Sequence, residues 1–173
     1  MGLSLYEYCV QGNNPQLLSQ WNEAKNGNLT PPDISYRSQH CVWWRCEKGH
    51  EWQTRVEHRT NGHGCPYCSN QKVLAGYNDL ATTNSNLVKE WHPTLNGELT
   101  PEMVTAGSRK KVWWQCSDGH VWKTAVYSRA DRRKKHGCPV CNRKLSLSRM
   151  LRYKNMVLDD KFRGENTERN KRL

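Results

Sequence analysis

Val42-Trp43-Trp44-Arg45-Cys46-Glu47-Lys48-Gly49-His50-Glu51-Trp52-Gln53-Thr54-Arg55-Val56 is followed, after a short loop, by Gly64-Cys65-Pro66-Tyr67-Cys68. The first run predicts a β-hairpin: one strand from Val42 to Cys46, a turn at Glu47-Lys48-Gly49, and a return strand from His50 to Val56. Val42, Trp44 and Cys46 alternate onto one face, and Trp52, Thr54 and Val56 alternate on the way back, the period-2 signature of half-buried strands. Cys46 and His50 flank the tight turn, so both side chains can reach one point. Cys65 and Cys68 bracket two residues, the knuckle spacing that lets backbone N–H groups turn toward thiolates. Tetrahedral Zn²⁺ with three cysteines and one histidine fits these four residues.

The same pattern occurs twice. One constant shift superposes Val42-Trp43-Trp44 on Val112-Trp113-Trp114, Cys46 on Cys116, Gly49-His50 on Gly119-His120, and Trp52 on Trp122. Upstream, Trp21 meets Trp91, Asn26-Gly27 meets Asn96-Gly97, and Leu29-Thr30-Pro31 meets Leu99-Thr100-Pro101. Arg59 meets Arg129. Copy two then gains three positions, after which Gly64-Cys65-Pro66-x-Cys68 meets Gly137-Cys138-Pro139-x-Cys141. Positions that agree between two copies in one chain are those that the fold or the site requires. All eight tryptophans and six of the eight cysteines belong to the repeat. Cys9 and Cys41 do not, and both are read as ordinary thiols.

The repeat defines two ligand sets, Cys46, His50, Cys65 and Cys68, then Cys116, His120, Cys138 and Cys141. The segment from Cys116 to Cys138 is longer than that from Cys46 to Cys65 by the three added positions, as suits a loop joining two half-sites. Redox CxxC pairs would sit in a βαβ pattern, and none surrounds these. The histidine and the spacing argue against an iron–sulfur cluster. His63 and His136 also recur, two positions before each CxxC. They are the alternative to His50 and His120, but His63 lies too close to Cys65 in sequence to share its ion comfortably. Each zinc should stabilise its module by roughly 10 kcal/mol or more. A module of about 65 residues with few aliphatic side chains would otherwise be marginal.

The arrangement Asn-Pro-x-Leu…Trp-Asn…Asn-Gly-x-Leu-Thr-Pro…Ser…Val-Trp-Trp-x-Cys…Gly-His-x-Trp…Arg…Gly-Cys-Pro-x-Cys resembles the zinc-ribbon, treble-clef zinc-finger domain family of bacterial and phage proteins. The resemblance covers about residues 3–142 in two copies. It implies a treble-clef fold, with a zinc knuckle, a hairpin and then a helix carrying the last two ligands. It also implies tandem use of the module, sometimes joined to a restriction-endonuclease-like domain, and a role related to nucleic acid. Copy two departs by its three added positions and by His92 where Asn22 stands, and neither change touches a proposed ligand.

The expected architecture is therefore small, α+β and metal-stabilised. Residues 1–72 form zinc module 1 and residues 73–142 zinc module 2. Residues 143–173 form a basic C-terminal helix or tail whose end is disordered. Asn14 and Asn84 are candidate caps of short helices, with Pro15 at the first helical position of copy one. Leu17, Leu18 and Trp21, matched by Leu87, Val88 and Trp91, have helical apolar spacing. Cys-Pro-x-Cys is expected to open a further short helix. In the tail, residues 146–160 read as a basic amphipathic helix. At 35% hydrophobic residues and a mean hydropathy of −0.97, one large core is excluded. No apolar run approaches the roughly 20 residues of a membrane span, and the N-terminus lacks a signal-peptide layout. A soluble, cytoplasmic protein whose cysteines bind metal is the expectation.

The formal charge is +11, distributed as +1 over residues 1–72, +4 over 73–142 and +6 over 143–173. Two ions, each on three thiolates, would lower the total to about +9. Copy two carries Arg109-Lys110-Lys111 where copy one has Gln39-His40-Cys41, and its added positions fall within Arg132-Arg133-Lys134-Lys135. The tail adds Arg143, Lys144, Arg149, Arg152 and Lys154. These are candidate phosphate donors for nucleic acid, DNA being favoured. The tryptophans recur in strand-alternating positions and read as core rather than as base-stacking platforms. The repeated Arg59 and Arg129 suit packing on a tryptophan face. The competing reading is a protein-interaction adaptor whose C-terminal helix recruits a partner. A nuclease would need a grouped catalytic-metal site, for which His58, Asp131 and His136 are the only loose candidates. The chain is read as a non-enzyme, and one setting for it is the recognition part of a mobile-element or defence system.

Overall fold

Alternating apolar side chains at Val42, Trp44 and Trp52 produce a two-stranded antiparallel ladder. In a computed structural model, β1 (Cys41–Arg45) pairs with β2 (Glu51–Arg55), with Trp44 opposite Trp52. The second copy repeats it: β3 (Lys111–Gln115) pairs with β4 (Val121–Ala125), with Trp114 opposite Trp122. The structure describes residues 2–131, 136–142, 146, 148 and 151–152. The chain divides into two units, Met1–Lys72 and a second beginning at Val73. Each hairpin turn closes through the Gly49 or Gly119 N–H donating to the Cys46 or Cys116 carbonyl, at 2.8 and 3.0 Å. Both glycines hold positive φ, 80° and 77°. That left-handed conformation disfavours a Cβ, so the Gly before each histidine is a backbone requirement.

The free edge of each hairpin is closed by the segment carrying the first tryptophan. In the first unit, the Arg45 N–H donates to the Gln20 carbonyl at 2.8 Å and the Asn22 N–H to the Trp43 carbonyl at 3.2 Å. The Asn26 side chain completes the edge, its Nδ2 donating to the Trp43 carbonyl at 2.9 Å and its Oδ1 accepting from the Trp43 N–H at 2.8 Å. Asn96 makes the same pair of bonds with Trp113, at 3.0 and 2.7 Å. An open strand edge is a row of unmet donors and acceptors, and one amide side chain satisfies two of them. The turn expected at Asn-Gly is present too, with Gly27 and Gly97 at φ 60° and 59°.

Short helices frame the hairpins: α1 (Leu5–Tyr8), α2 (Gln16–Ser19), α3 (Glu23–Asn26) and α4 (Val56–Thr60) in the first unit. The second unit has α5 (Leu80–Thr83), α6 (Ser85–Val88) and α7 (Val126–Ala130). Several expectations are corrected. Val56 and Val126 begin helices instead of ending strands, because Arg55 and Ala125 sit extended as caps and the chain then turns. Pro15 stands one position before α2, and neither Asn14 nor Asn84 caps a helix with its side chain. The true side-chain caps lie earlier: Ser4, in a capping box with Glu7, and Asp79, which accepts from the Thr82 N–H. The residue after each, Leu5 or Leu80, is fully buried. Its N–H donates to the carbonyl of Ile34 or Val104, which are equivalent positions of the two copies. The repeat therefore extends upstream to Leu5 and Leu80, with five extra positions in the first copy between Leu5 and Asn14. At the other end, Cys-Pro-x-Cys forms turns, not a helix. The Ser69 N–H reaches the Cys65 carbonyl at 3.1 Å, but Asn70 enters the left-handed region at φ 59° and stops propagation.

The cores are small and aromatic. Trp21 meets Trp44 edge-on at 5.5 Å, and Trp91 meets Trp114 at 5.4 Å. Val42, Trp44, Trp52 and Val56 line the first core, and Val112, Trp114, Trp122 and Val126 the second. Cys9 is buried in the first core and Cys41 is exposed at the start of β1. Of the expected tail helix, Ser148, Leu151 and Arg152 are helical, and the rest of 147–160 and everything after it lie outside the described residues. Among the described residues, no helix is long and apolar enough to cross a membrane.

Candidate metal centres

Each hairpin turn delivers a cysteine and a histidine, and each CxxC turn delivers two cysteines to the same place. The donor atoms of Cys46, His50, Cys65 and Cys68 all lie within 4.8 Å of one another, as do those of Cys116, His120, Cys138 and Cys141. A tetrahedron with Zn–S of about 2.3 Å and Zn–N of about 2.0 Å has S···S edges of about 3.8 Å and S···N edges of about 3.5 Å. In the first tetrad His50 Nδ1 is 3.4, 3.6 and 3.3 Å from the sulfurs of Cys46, Cys65 and Cys68, and Cys46 to Cys68 is 3.9 Å. In the second, His120 Nδ1 is 3.4, 3.7 and 3.4 Å from Cys116, Cys138 and Cys141, and Cys116 to Cys141 is 3.8 Å. The donor sets fit two structural Zn²⁺ ions, one per unit. Nδ1, not Nε2, is the nitrogen presented.

His63 and His136 stand outside the tetrads. Their backbone carbonyls instead accept hydrogen bonds from Arg59 and Arg129. These two arginines are buried charges, at 5% and 8% exposed. The Arg59 guanidinium lies 5.2 Å from the Trp44 ring and 5.4 Å from Trp52, and also donates to Gln20. Arg129 lies 5.5 and 5.4 Å from Trp114 and Trp122, and pairs with the Glu90 carboxylate. Each arginine thus ties the loop that leads into CxxC to the hairpin and to the end of the helical segment before it. It packs on tryptophan faces, as its recurrence suggested, and it positions the knuckle half of the site.

The thiols feel opposed influences. Burial raises the Cys46 thiol, but backbone N–H groups of His50 and Lys48 directed at its sulfur outweigh it, and the net effect is below its ordinary value. Burial pushes Cys65 up to about 11, against N–H groups of Cys68 and Tyr67. Cys141 is pushed up to about 12, chiefly by its hydrogen bond to Asp118. Burial lowers Arg59, and the neighbouring Cys65 and Cys46 thiolates oppose that. Ligand thiols that hold protons must lose them to a metal, so affinity rises with pH. A bound ion would supply one cross-link between hairpin and knuckle in each unit, which few aliphatic contacts could replace.

The basic residues divide. Arg109, Lys110 and Lys111 are exposed where the chain enters β3, and Arg152 is exposed. Arg132, Arg133, Lys134, Lys135, Arg143, Lys144, Arg149 and Lys154 lie outside the described residues. Of the loose nuclease candidates, His58 approaches Thr54 Oγ1 at 3.4 Å and the His63 ring at 5.5 Å. Among the described residues, only the two tetrads bring three or more His, Cys, Asp or Glu side chains within reach of one ion. The expected helix carrying the last two ligands is replaced by the turn at Pro66–Asn70 and its counterpart after Cys138. The hairpin-plus-knuckle arrangement of ligands is otherwise as the resemblance implies.

No curated protein matches the chain. A family model described as "Probable Treble clef zinc finger domain" matches residues 17–71 and 87–144, each match containing one hairpin and one complete tetrad. Together the matches span well over half of the sequence, and the chain belongs to this treble clef zinc finger family, as two tandem copies.

Proposed function

We propose that the chain is a zinc-scaffolded nucleic-acid-binding protein without catalysis of its own, DNA being the favoured partner. Its basic contacts come from module 2 and the tail. The observation that carries this reading is the exposed run Arg109-Lys110-Lys111 at the entry to β3, on a hairpin whose backbone is held by zinc ligands and by Asn96. The same position in module 1 is Gln39-His40-Cys41, so the fold does not require the charge. Charges on a rigid strand entry lose little freedom on meeting phosphates, and each phosphate neutralised releases counterions. The charge gradient, from +1 in module 1 to +6 over 143–173, has the same direction. A role as the recognition part of a mobile-element or defence system would use this surface.

The test is a salt titration of zinc-loaded protein against duplex and single-stranded DNA. The affinity should fall steeply on a log–log plot, with a slope of about −0.9 per phosphate contacted on duplex. Replacing Arg109, Lys110 and Lys111 with Ala should flatten the slope by about 2–3 units while two zincs stay bound. Replacing Arg132, Arg133, Lys134 and Lys135 with Ala should flatten it further. Binding indifferent to salt, or none, would refute the reading and leave the protein-interaction adaptor in its place.

A further inference from the structure

The two centres share their ligands and differ in the charge set against them. In the second, Asp118 Oδ2 lies 3.2 Å from Cys141 Sγ. The corresponding turn residue of the first is Lys48, which lines a shallow cleft with Cys46, Cys65 and Cys68. The turn residue before it differs in the opposite sense, Glu47 against Ser117, so the two-residue turn is neutral in module 1 and carries −1 in module 2. The buried arginines add a second difference. Arg59 donates to the neutral amide of Gln20, leaving its charge to the thiolates, whereas Arg129 is paired with the Glu90 carboxylate. A zinc ion on three thiolates and a neutral imidazole has net charge −1. Both differences therefore make the surroundings of the second centre more hostile to the metal-bound, anionic form.

We propose that the second centre is the labile one, releasing Zn²⁺ to a competing chelator before the first, and that Asp118 sets this order by opposing the Cys141 thiolate. The ligands themselves are equivalent in kind, and equal in spacing within the hairpin turn and within CxxC, so the order is assigned to the flanking charges. Between two exposed groups in nearly water-like surroundings, one carboxylate against a thiolate a few ångströms away shifts an equilibrium by about 10-fold.

The experiment uses the zinc-loaded full chain at neutral pH, challenged with EDTA, with timed N-ethylmaleimide alkylation mapped by peptide mass spectrometry. Native mass spectrometry counts the remaining ions. A one-zinc species should accumulate with Cys138 and Cys141 alkylated and Cys65 and Cys68 protected. Asp118→Asn should slow loss from the second centre by up to about 10-fold, Asp118→Lys should slow it further, and Lys48→Asp should speed loss from the first. Each comparison is internal to one module, so other charges in that module cancel. Labelling of Cys65 and Cys68 first or simultaneously, or an order and rate unmoved by Asp118→Lys, overturns the proposal.

Discussion

Replacing Arg59 by Met would remove a buried cation while keeping most of the apolar stem. Three sets of interactions disappear: the placement over Trp44 and Trp52, the bond to the His63 carbonyl, and the bond to Gln20. Bonds from a charged donor contribute about 1.5–3 kcal/mol each. A desolvated cation–π pair contributes about 1–2 kcal/mol. The recovered cost of burying the guanidinium offsets much of this sum. Arg59 Nε, buried without a partner, shows that the native burial is itself imperfect. A net loss of about 3 kcal/mol remains, and it falls on the first unit. Amide exchange in β1 and β2, followed by mass spectrometry on the zinc-loaded chain, should accelerate roughly 100-fold, while β3 and β4 stay unchanged. DNA affinity under conditions where both units remain folded should not move, because the guanidinium is buried. Exchange in β1 and β2 accelerated less than about 3-fold would refute the structural role. A loss of DNA affinity with stability intact would make Arg59 a phosphate donor instead.

Complete removal of zinc by a strong chelator should unfold both units, and far-UV circular dichroism unchanged after metal-free protein is verified would contradict the stabilising role of the tetrads. Asn26→Ala leaves the Trp43 N–H and carbonyl at a strand edge without their side-chain partner, and urea unfolding should show a loss of about 1–3 kcal/mol. Asp79 is buried as a cap; burial raises its carboxyl, but donors from Thr82 and Gly76 outweigh it and hold the carboxyl below its usual range. A depressed folded-state value means its contribution is full above the unfolded value of about 3.9 and fades as pH falls through the folded one. Asp79→Ala should therefore cost about 1–2 kcal/mol in the second unit at neutral pH. That cost should stay level down to about pH 5, and a cost that shrinks between about pH 8 and 5 would show the carboxylate is not stabilised by these donors.

The hairpins and the ligand sets were legible because period-2 alternation and metal chemistry both act over short spans. Cys46 and His50 are joined by one turn, and the duplication filtered chance from requirement. The packing role of Arg59 was legible for the same reason, since it recurs in step with its tryptophans. What stayed hidden involves partners distant in sequence or a change of spacing between the copies. Asn26 reads as half of an Asn-Gly turn, and its bonds to Trp43, 17 positions away, have no local signature. Ser4 and Asp79 share only a capping oxygen, and the five extra positions after Leu5 move them off the main repeat. Asn70 ends the CxxC turn through its own backbone conformation, which an i→i+3 cysteine spacing does not reveal.

The duplication also separates what the fold needs from what each copy adds. Residues bonded alike in both units, among them Asn26 with Asn96 and Arg59 with Arg129, hold the hairpin and knuckle in register for zinc. Asn22 and His92 differ in type yet serve alike as acceptors for the turn that follows. Asn22 caps α3 through its amide oxygen, and His92 Nδ1 accepts from the Thr94 and Leu95 N–H groups at 3.3 and 3.2 Å. The acceptor role is kept, although α3 follows Asn22 and only a turn follows His92. The changes at Gln39-His40-Cys41 against Arg109-Lys110-Lys111, and at Lys48 against Asp118, conserve nothing, and all of them alter charge on or beside the metal-bearing hairpin. Zinc scaffolding is thus common to both copies. Charge, which determines what a surface attracts and how firmly a centre holds its ion, is where the second copy has diverged.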